Sequence, residues 1–447
     1  MAAETRLVIK SVKGVQVFDS RNDPTVACAI KLSDGKSVVF KVPSGASTGE
    51  KEAVELRDGG TRFRGKGVLR AVENINSRIA PLVEGRIVGA SSQEEIDSML
   101  ISQDGSPNKT ELGANAILAV SGAFARARAH AMGLELWEYF AAGRTMLPVP
   151  QLNVLNAGRH ADTGFEVQET MVLPVGAESF AHAMELGTGV WHALKGMLKA
   201  AGKSTGRGDE GGFVNPFRSI EETIEAVLGA IKKCGSDAER AVKLGFDGAF
   251  SEIHGRDLRG KETKGDDTYH LGGKRLSPEE VVAFWERLAR TYPIISIEDG
   301  MGERDARGWK MLTKKLGSTT QLVLDDFVCT NPLLIRDAIR DGIGNSSLIK
   351  LNQIGTVSET LEAMGITRNA GRSNVISHRS GETEDDFIAH LAMCRLVDQI
   401  KSGSSGADRN AKYNTLLMIE AALGKDARYA GLDAFPQAVR EHWMQRI

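Results

Sequence analysis

The sequence predicts an α/β protein: a smaller α+β domain, residues 1–145, followed by a (β/α)8 barrel, residues 146–447. Three observations lead to this prediction. The first part of the chain reads as strands and then as helices. The remainder alternates short apolar runs with helical segments. Most of those apolar runs carry a polar or charged residue or end on one. The chain has 447 residues, enough for two domains of this kind.

Composition excludes several classes of protein. Lys and Arg number 56 against 58 Asp and Glu, a net charge of −2, so the chain is not a globally basic nucleic-acid binder. No apolar run approaches the ~20 residues of a membrane span, and the first residues lack the apolar core of a signal peptide. The four cysteines are widely spaced and form no C-x-x-C pair, which favours buried free thiols in a reducing compartment. We therefore expect a cytoplasmic protein with neither nucleic acid nor membrane as partner.

The N-terminal part predicts three strands, over residues 7–18, 25–32 and 37–42. They are rich in Val and Ile and are separated by turn signals at 21–24 and 33–35. From about residue 68 to 141 the pattern becomes helical. The Ala-rich stretch 114–139 has apolar residues at three- and four-residue spacing. Strands followed by helices indicate an α+β domain.

After residue 146 the apolar runs bring reactive side chains to their ends. The steps from Asp247 to Glu298, Asp325, Lys350 and His378 are 51, 27, 25 and 28 residues. A strand–helix unit takes about 30 residues, so several steps are single units. Segments 279–290, 306–316 and 332–340 supply the helices. An open doubly wound sheet also binds ligands at its strand ends, so the spacing favours a barrel without excluding such a sheet.

Three of these strand-end residues are carboxylates: Asp247, Glu298 and Asp325. Brought together at one barrel mouth, they would repel one another unless a cation lay between them. Oxygen ligands favour Mg²⁺ over zinc. Each acid alone could instead be a solvated cap, but three in series, followed by a strand-end lysine, favour a metal site.

Other residues suit proton transfer and anion binding. Lys350 lies in an apolar strand, where burial would lower its pKa and make it a base; the alternative is a lysine that reaches the barrel rim. Glu210, between glycines in GDEGG, could donate a proton, or the segment could be a surface turn. Arg379 and Ser380 suit a phosphate, or lie in an exposed charged loop. Together these parts suggest proton abstraction next to a carboxylate.

The motifs as a set resemble the enolase family. The resemblance runs from about Val8 to Leu423 and includes PSGASTG, ELRDG, GANAILAVS, GDEGG, SIEDG, LDD, IKLNQIGT, SHRSGETED and QIKSG. It implies an α+β cap domain before a modified (β/α)8 barrel, and two Mg²⁺ per active site. It also implies reversible dehydration of 2-phosphoglycerate to phosphoenolpyruvate by a homodimer or homo-octamer. That such sites use a Lys or His base with Mg²⁺ is general to the superfamily.

The resemblance also implies a role for each matching residue. The ligands of the first Mg²⁺ would be Asp247, Glu298 and Asp325, and Ser47 would bind the second. Lys350 would remove the proton from C2. Glu210, assisted by Glu169, would help the C3 hydroxyl leave. The substrate contacts would be His160, Glu169, Lys350, His378, Arg379, Ser380 and Lys401. Lys401 would meet the substrate carboxylate and depress the pKa of Lys350, and His160 would close over the substrate.

Departures from the family pattern leave the metal ligands and the base untouched. The chain reads Asn22-Asp23 in its N-terminal turn, Ala157 before the lid histidine, Thr170 after Glu169, and a Gly/Lys/Asp-rich stretch up to Gly273. Either the chain is an enolase with drifted loops, or its substrate is modified at the phosphoryl group. The carboxyphosphonoenolpyruvate synthases of phosphonate biosynthesis, which dehydrate 2-phosphonoformylglycerate, exemplify the second. Ala157 would stiffen its loop, or strain it if φ were positive.

A hypothesis of another class is an enolase-fold scaffold or binding protein. Such a protein should have lost Lys350, Glu210 or one of the three carboxylates, and none is lost. The C-terminus, Gln445-Arg446-Ile447, also lacks the terminal lysine of enolase-like plasminogen binders. The sequence therefore favours an enzyme.

Overall fold

The structure is a computed structural model that describes residues 6–46, 49–158, 166–256, 262–263 and 265–446. Its N-terminal part opens with a three-stranded antiparallel sheet: β1 (Ile9–Phe18), β2 (Pro24–Leu32) and β3 (Ser37–Lys41). The turn between β1 and β2 is built on Asp19, whose carboxylate accepts the N–H groups of Arg21 (2.8 Å) and Asp23 (2.9 Å). All three predicted strands are present.

Helices follow the sheet: α1 (Leu69–Glu73), α2 (Ala80–Val83), α3 (Gln93–Asp104), α4 (Ala114–Ala131) and α5 (Leu136–Ala141). A π-helical segment, Asn74–Ile79, joins the first two. Within the predicted helical stretch 114–139, Gly133 adopts a left-handed φ of 69° and separates α4 from α5. Helix α4 lies against the sheet, and a Cβ at Gly122 would come within 2.6 Å of the Phe40 ring.

The remaining strands are β4 (Met146–Leu147), β5 (Val149–Asn156), β6 (Glu169–Leu173), β7 (Phe213–Val214), β8 (Lys243–Asp247), β9 (Tyr269–Leu271), β10 (Lys274–Leu276), β11 (Ile294–Glu298), β12 (Gln321–Leu324), β13 (Ser346–Ile349), β14 (Ser373–Ser377), β15 (Gln399–Lys401) and β16 (Arg428–Tyr429). Eight of them close a barrel in the order β5-β6-β8-β11-β12-β13-β14-β15, since β15 also pairs with β5. Closure excludes the open doubly wound sheet.

One barrel strand runs against the others. β6 is antiparallel to both β5 and β8, whereas the other barrel neighbours are parallel. No described helix separates β5 from β6. This reversal modifies the regular (β/α)8 pattern, and it brings the first residue of β6, Glu169, to the barrel end where the parallel strands finish.

The helices of the barrel part are α6 (Phe180–Ala200), α7 (Ile220–Lys233), α8 (Ser236–Ala241), α9 (Pro278–Thr291), α10 (Ala306–Leu316), α11 (Pro332–Arg340), α12 (Leu351–Ile354), α13 (Val357–Asn369), α14 (Phe387–Leu391), α15 (Ala407–Leu423) and α16 (Gln437–Met444). Those predicted at 279–290, 306–316 and 332–340 are α9, α10 and α11. Among the described residues, no helix is both long enough and apolar enough to span a bilayer.

The N-terminal part packs on the barrel beside the strand ends. Phe40 of β3 meets Phe387 of α14 edge to face, with ring centroids 4.9 Å apart. Ser44 and Gly381 exchange two backbone hydrogen bonds of 2.8 Å. These contacts hold the segment that follows β3 against the mouth of the barrel.

Candidate active site

The predicted carboxylates gather at the carboxyl ends of neighbouring barrel strands. Asp247 ends β8 and Glu298 ends β11, and the two residues are partners in the parallel register. Asp325 directly follows β12. All three are at least 94% buried. Two of them, Asp247 and Asp325, line a cavity whose walls are formed by Gln168, Glu169, Glu210, Asp247, Ala249, Glu252, Asp299, Asp325, Asp326, Lys350, Ser377, His378, Arg379, Ser380 and Lys401.

Lys401 is the cation around which three of these acids lie. Its Nζ is 2.8 Å from Glu298 Oε1, 3.1 Å from Asp247 Oδ2 and 3.2 Å from Glu169 Oε2. Burial alone would lower the pKa of Lys401, but the surrounding carboxylates outweigh it and raise this pKa well above its ordinary value. The ammonium therefore stays charged.

Lys350 differs from its predicted state. Burial lowers its pKa, and Lys401 lowers it too, as expected. However, Asp325 Oδ2 lies 2.5 Å from Lys350 Nζ, and this carboxylate raises the pKa above the ordinary lysine value on balance. The same pair lowers the pKa of Asp325 despite its burial. The expected low pKa of Lys350 is therefore wrong for this arrangement, because the sequence did not reveal the partner.

Asp299 and Asp326 are site residues that the sequence reasoning left out. Oxygens of Asp299, Asp325 and Asp326 lie within 4.8 Å of one another. Asp299 has a left-handed φ of 43° and accepts the N–H groups of Asp325 and Asp326, each at 3.0 Å. Burial, and then neighbouring acids, raise the pKa values of Asp299 and Asp326. The doubled acids in SIEDG and LDD were the available signal.

The donor set fits a hard divalent cation. The buried acids offer only oxygen ligands, which suits Mg²⁺. Glu298 Oε2 is buried and has no hydrogen-bond partner among the residues described. Burial, and then Asp247, raise the pKa of Glu298 well above its ordinary value, which is the electrostatic cost that a bound cation would relieve.

Glu210 and His378 approach each other across the cavity. His378 Nε2 is 3.1 Å from Glu210 Oε2, and Asn153 Nδ2 donates to the same oxygen at 3.5 Å. Burial lowers the pKa of His378 to about 3, so the ring is neutral near pH 7. A guanidinium nitrogen of Arg409 donates to His378 Nδ1. Arg409 was not predicted, because no motif marks a buried helical arginine.

Arg379 and Ser380 face the segment that follows β3. Arg379 pairs with Glu52 at 3.0 and 3.2 Å, and Ser380 Oγ accepts the N–H of Ala46 at 2.6 Å. Arg21 also donates to Ser380 Oγ, at 3.3 Å. Both predicted anion-binding residues are therefore buried and held in place rather than exposed in a loop.

Two predicted site residues, Ser47 and His160, lie outside the described residues. Of the departures, Thr170 is buried and opposes Phe246 in the register of β6 and β8. Ala157 is buried and has no positive φ; the left-handed residue is Gly158, at 51°. The alanine therefore causes no backbone strain.

Two protein-family models match the chain. The model described as "Enolase, N-terminal domain" matches residues 9–140, and the model described as "Enolase, C-terminal TIM barrel domain" matches residues 144–438. Together they span nearly the whole sequence, and each covers one of the two structural parts described above.

Proposed function

The chain belongs to the enolase family, whose members are Mg²⁺-dependent lyases, and we propose that it dehydrates 2-phosphoglycerate to phosphoenolpyruvate. One observation carries the proposal: Lys350, Glu210, Asp247, Asp325 and Arg379 all line the same cavity at the barrel mouth. A weakly acidic C–H next to a carboxylate needs a base, an acid for the leaving hydroxyl, and concentrated positive charge.

The cation would be held by Asp247, Glu298 and Asp325, with Asp299 and Asp326 beside them. Bound there, Mg²⁺ would supply positive charge that stabilises the negative charge developing on the substrate carboxylate. Lys401 contributes a second, permanent positive charge at the same place. Ser47 is proposed as a ligand of a second ion by resemblance alone.

Lys350 is the proposed base for the C2 proton. Its attraction to Asp325 keeps it protonated, so it becomes basic only when that carboxylate is balanced by another charge. Lys350 follows β13 directly, and its backbone N–H donates to Thr330 Oγ1 at 2.9 Å. The strand end and this hydrogen bond fix the direction from which the amine meets the substrate.

Glu210 is the proposed acid for the C3 hydroxyl. It is buried, and both Asn153 and His378 lie against one of its oxygens. Glu169 is proposed to assist. Its contact with Lys401 holds it at the same mouth, and its position at the start of the reversed strand supports that role.

A second candidate substrate is 2-phosphonoformylglycerate. It is suggested by departures from the family pattern close to the mouth, namely Ala157 directly after β5 and Thr170 next to Glu169. The elimination chemistry would be unchanged.

Steady-state turnover with Mg²⁺, followed by the ultraviolet absorbance of the enol product, tests the proposal. With 2-phosphoglycerate we expect kcat/KM between about 10⁴ and 10⁸ M⁻¹s⁻¹. A value orders of magnitude lower from folded protein, together with efficient turnover of 2-phosphonoformylglycerate, would assign the second substrate. Failure on both would overturn the proposal.

We also propose a homo-oligomer, a dimer or an octamer, by the same resemblance. Phe18 and Met418 are large apolar side chains with 53% and 72% of their surface exposed, which is compatible with burial between subunits. Light scattering at micromolar concentration tests this, and a monomer would contradict it.

A further inference from the structure

Arg409 is a buried cation that touches two loops of the site without lining its cavity. It belongs to the first turn of α15 and is 1% exposed. The first loop, residues 208–212, carries Glu210. The second, residues 378–380, follows β14 and consists of His378, Arg379 and Ser380. These two loops are far apart in sequence and contribute the proposed acid and the proposed anion contacts.

Each terminal nitrogen of the Arg409 guanidinium donates to two acceptors. Nη2 donates to the carbonyl of Asp209 at 2.9 Å and to that of Ser380 at 2.8 Å. Nη1 donates to the carbonyl of Arg379 at 2.7 Å and also to His378 Nδ1. One rigid planar group therefore ties residue 209 to residues 378–380, which a lysine, with a single nitrogen, does not reproduce.

The contact to His378 also decides where its ring proton lies. An arginine nitrogen only donates, so Nδ1 must be the accepting nitrogen of the neutral imidazole. The proton is then on Nε2, the atom 3.1 Å from Glu210 Oε2. If the proton were on Nδ1 instead, the lone pair of Nε2 would face the Glu210 carboxylate.

The space around these groups leaves little freedom. Gly403 has a left-handed φ of 68°, and a Cβ there would lie 2.4 Å from the Glu210 carbonyl and 3.2 Å from both Arg409 Cδ and His378 Cε1. Glu210, His378 and Arg409 are therefore packed around one glycine, with no room there for a side chain.

We propose that Arg409 is a positioning residue that holds these two loops in one arrangement and fixes His378 as the tautomer protonated on Nε2. The inference rests on the proposed role of Glu210 as the acid. Arg409 itself is not proposed to contact the substrate. Loss of the guanidinium should therefore affect the reaction through the orientation of Glu210 and His378.

The test compares wild type with Arg409→Lys, which keeps the charge, and with Arg409→Met. Protein labelled with ¹⁵N-histidine reports the tautomer, and the His378 signal among the nine histidines is the one missing from His378→Gln. We expect Nε2–H in wild type and loss of this state in both variants. Turnover of 2-phosphoglycerate should fall about 10- to 100-fold in Arg409→Lys, the range typical of supporting residues.

Lys412→Met is the matched control. Lys412 is also buried on α15, but it contacts Glu382 and Thr383 instead. We expect it to lower stability while leaving the tautomer and kcat within about threefold of wild type. The inference would be overturned if Arg409→Lys kept the wild-type tautomer and the wild-type kcat. It would also be overturned if kcat fell equally in Lys412→Met and in the Arg409 variants while the His378 tautomer stayed unchanged. If wild type turned over neither substrate, the proposed function would fail and the tautomer measurement would still decide this inference.

Discussion

Glu52 and Arg379 form a two-pronged ion pair between the N-terminal part and the barrel, with Nη1 3.0 Å from Oε2 and Nη2 3.2 Å from Oε1. Both side chains are less than 10% exposed. The carboxylate raises the pKa of Arg379 although burial opposes this. An anionic group entering the cavity would therefore meet an arginine whose direction is already set by a competing carboxylate.

Glu52→Gln tests that competition. Removing the carboxylate leaves Arg379 without this buried counter-charge and should lower stability by about 3 kcal/mol. A phosphoryl ligand should then restore charge balance, so its Tm increase should exceed that of wild type in thermal scans. Glu384→Gln is the control, since the Glu384 side chain, which pairs with Lys41, is 66% exposed and its charge should matter little. Equal ligand-induced shifts in wild type and Glu52→Gln would rule out competition.

Lys350→Ala should abolish turnover while leaving the fold largely intact. We expect kcat to fall at least about 10³-fold, because the variant lacks the base proposed for the C2 proton. Lys243→Met is the control: this lysine is buried at the opposite end of the barrel, where its Nζ donates to the Arg240 carbonyl. Circular dichroism checks the fold of both variants. Substantial residual turnover in Lys350→Ala would remove the base assignment.

Chelation should remove activity, and Mg²⁺ should restore it. Wild-type Tm should rise with Mg²⁺ because a cation that binds only the folded chain stabilises it. Glu298→Gln should weaken this rise, since it neutralises a buried carboxylate, one of whose oxygens has no hydrogen-bond partner among the residues that the structure describes. Titration calorimetry measures the affinity directly. Turnover that persists in excess EDTA would contradict the metal-dependent account.

His378 predicts a loss of stability in mild acid. Its pKa is about 3 in the folded chain, from burial, against an ordinary value of 6.5. Between these values the unfolded chain binds a proton that the folded chain does not, so stability falls as pH falls below about 6.5. From pH 6.5 to 4.5 the loss is about 2 to 3 kcal/mol from this group. Denaturant unfolding of wild type and His378→Gln should differ by this pH-dependent amount; parallel profiles would contradict it.

Gly211→Ala should displace Glu210. Gly211 has a left-handed φ of 86°, and a Cβ there would lie 2.4 Å from backbone atoms of Ser405. We expect kcat to fall by about 10² or more through misplacement of the acid. Gly202→Ala is the control, because that glycine is also left-handed but has open space around it. Similar kcat values in the two variants would contradict the expected displacement of Glu210.

Much of the fold could be predicted because its signals are local. Strand runs, helix periods and the strand-end positions of Asp247, Glu298 and Lys350 follow from residue patterns of short range. The reversal of β6 could not be read from them, because a buried strand has the same composition in either direction. The break at Gly133 could not be placed from the sequence, because a single glycine is tolerated within a helix.

The site was harder to predict where it depends on partners distant in sequence. The pKa of Lys350 depends on its contact with Asp325, and the proposed tautomer of His378 depends on its contact with Arg409. Both contacts form only in the folded chain. Glu52 was missed for the same reason. Asp299 and Asp326 were visible as strand-end acids, but nothing in the sequence indicated that one accepts the backbone N–H of the other.

The reversal of β6 sets where this barrel can change length. Asn156, the last residue of β5, pairs with Glu169, the first residue of β6, at the end where the acids gather, so insertions between these two strands would alter access to the chemistry. The connection from β6 to α6, residues 174–179, lies at the opposite end of the barrel. Evolution or an engineer could lengthen that second connection, or tether another domain to it, while leaving the reaction undisturbed.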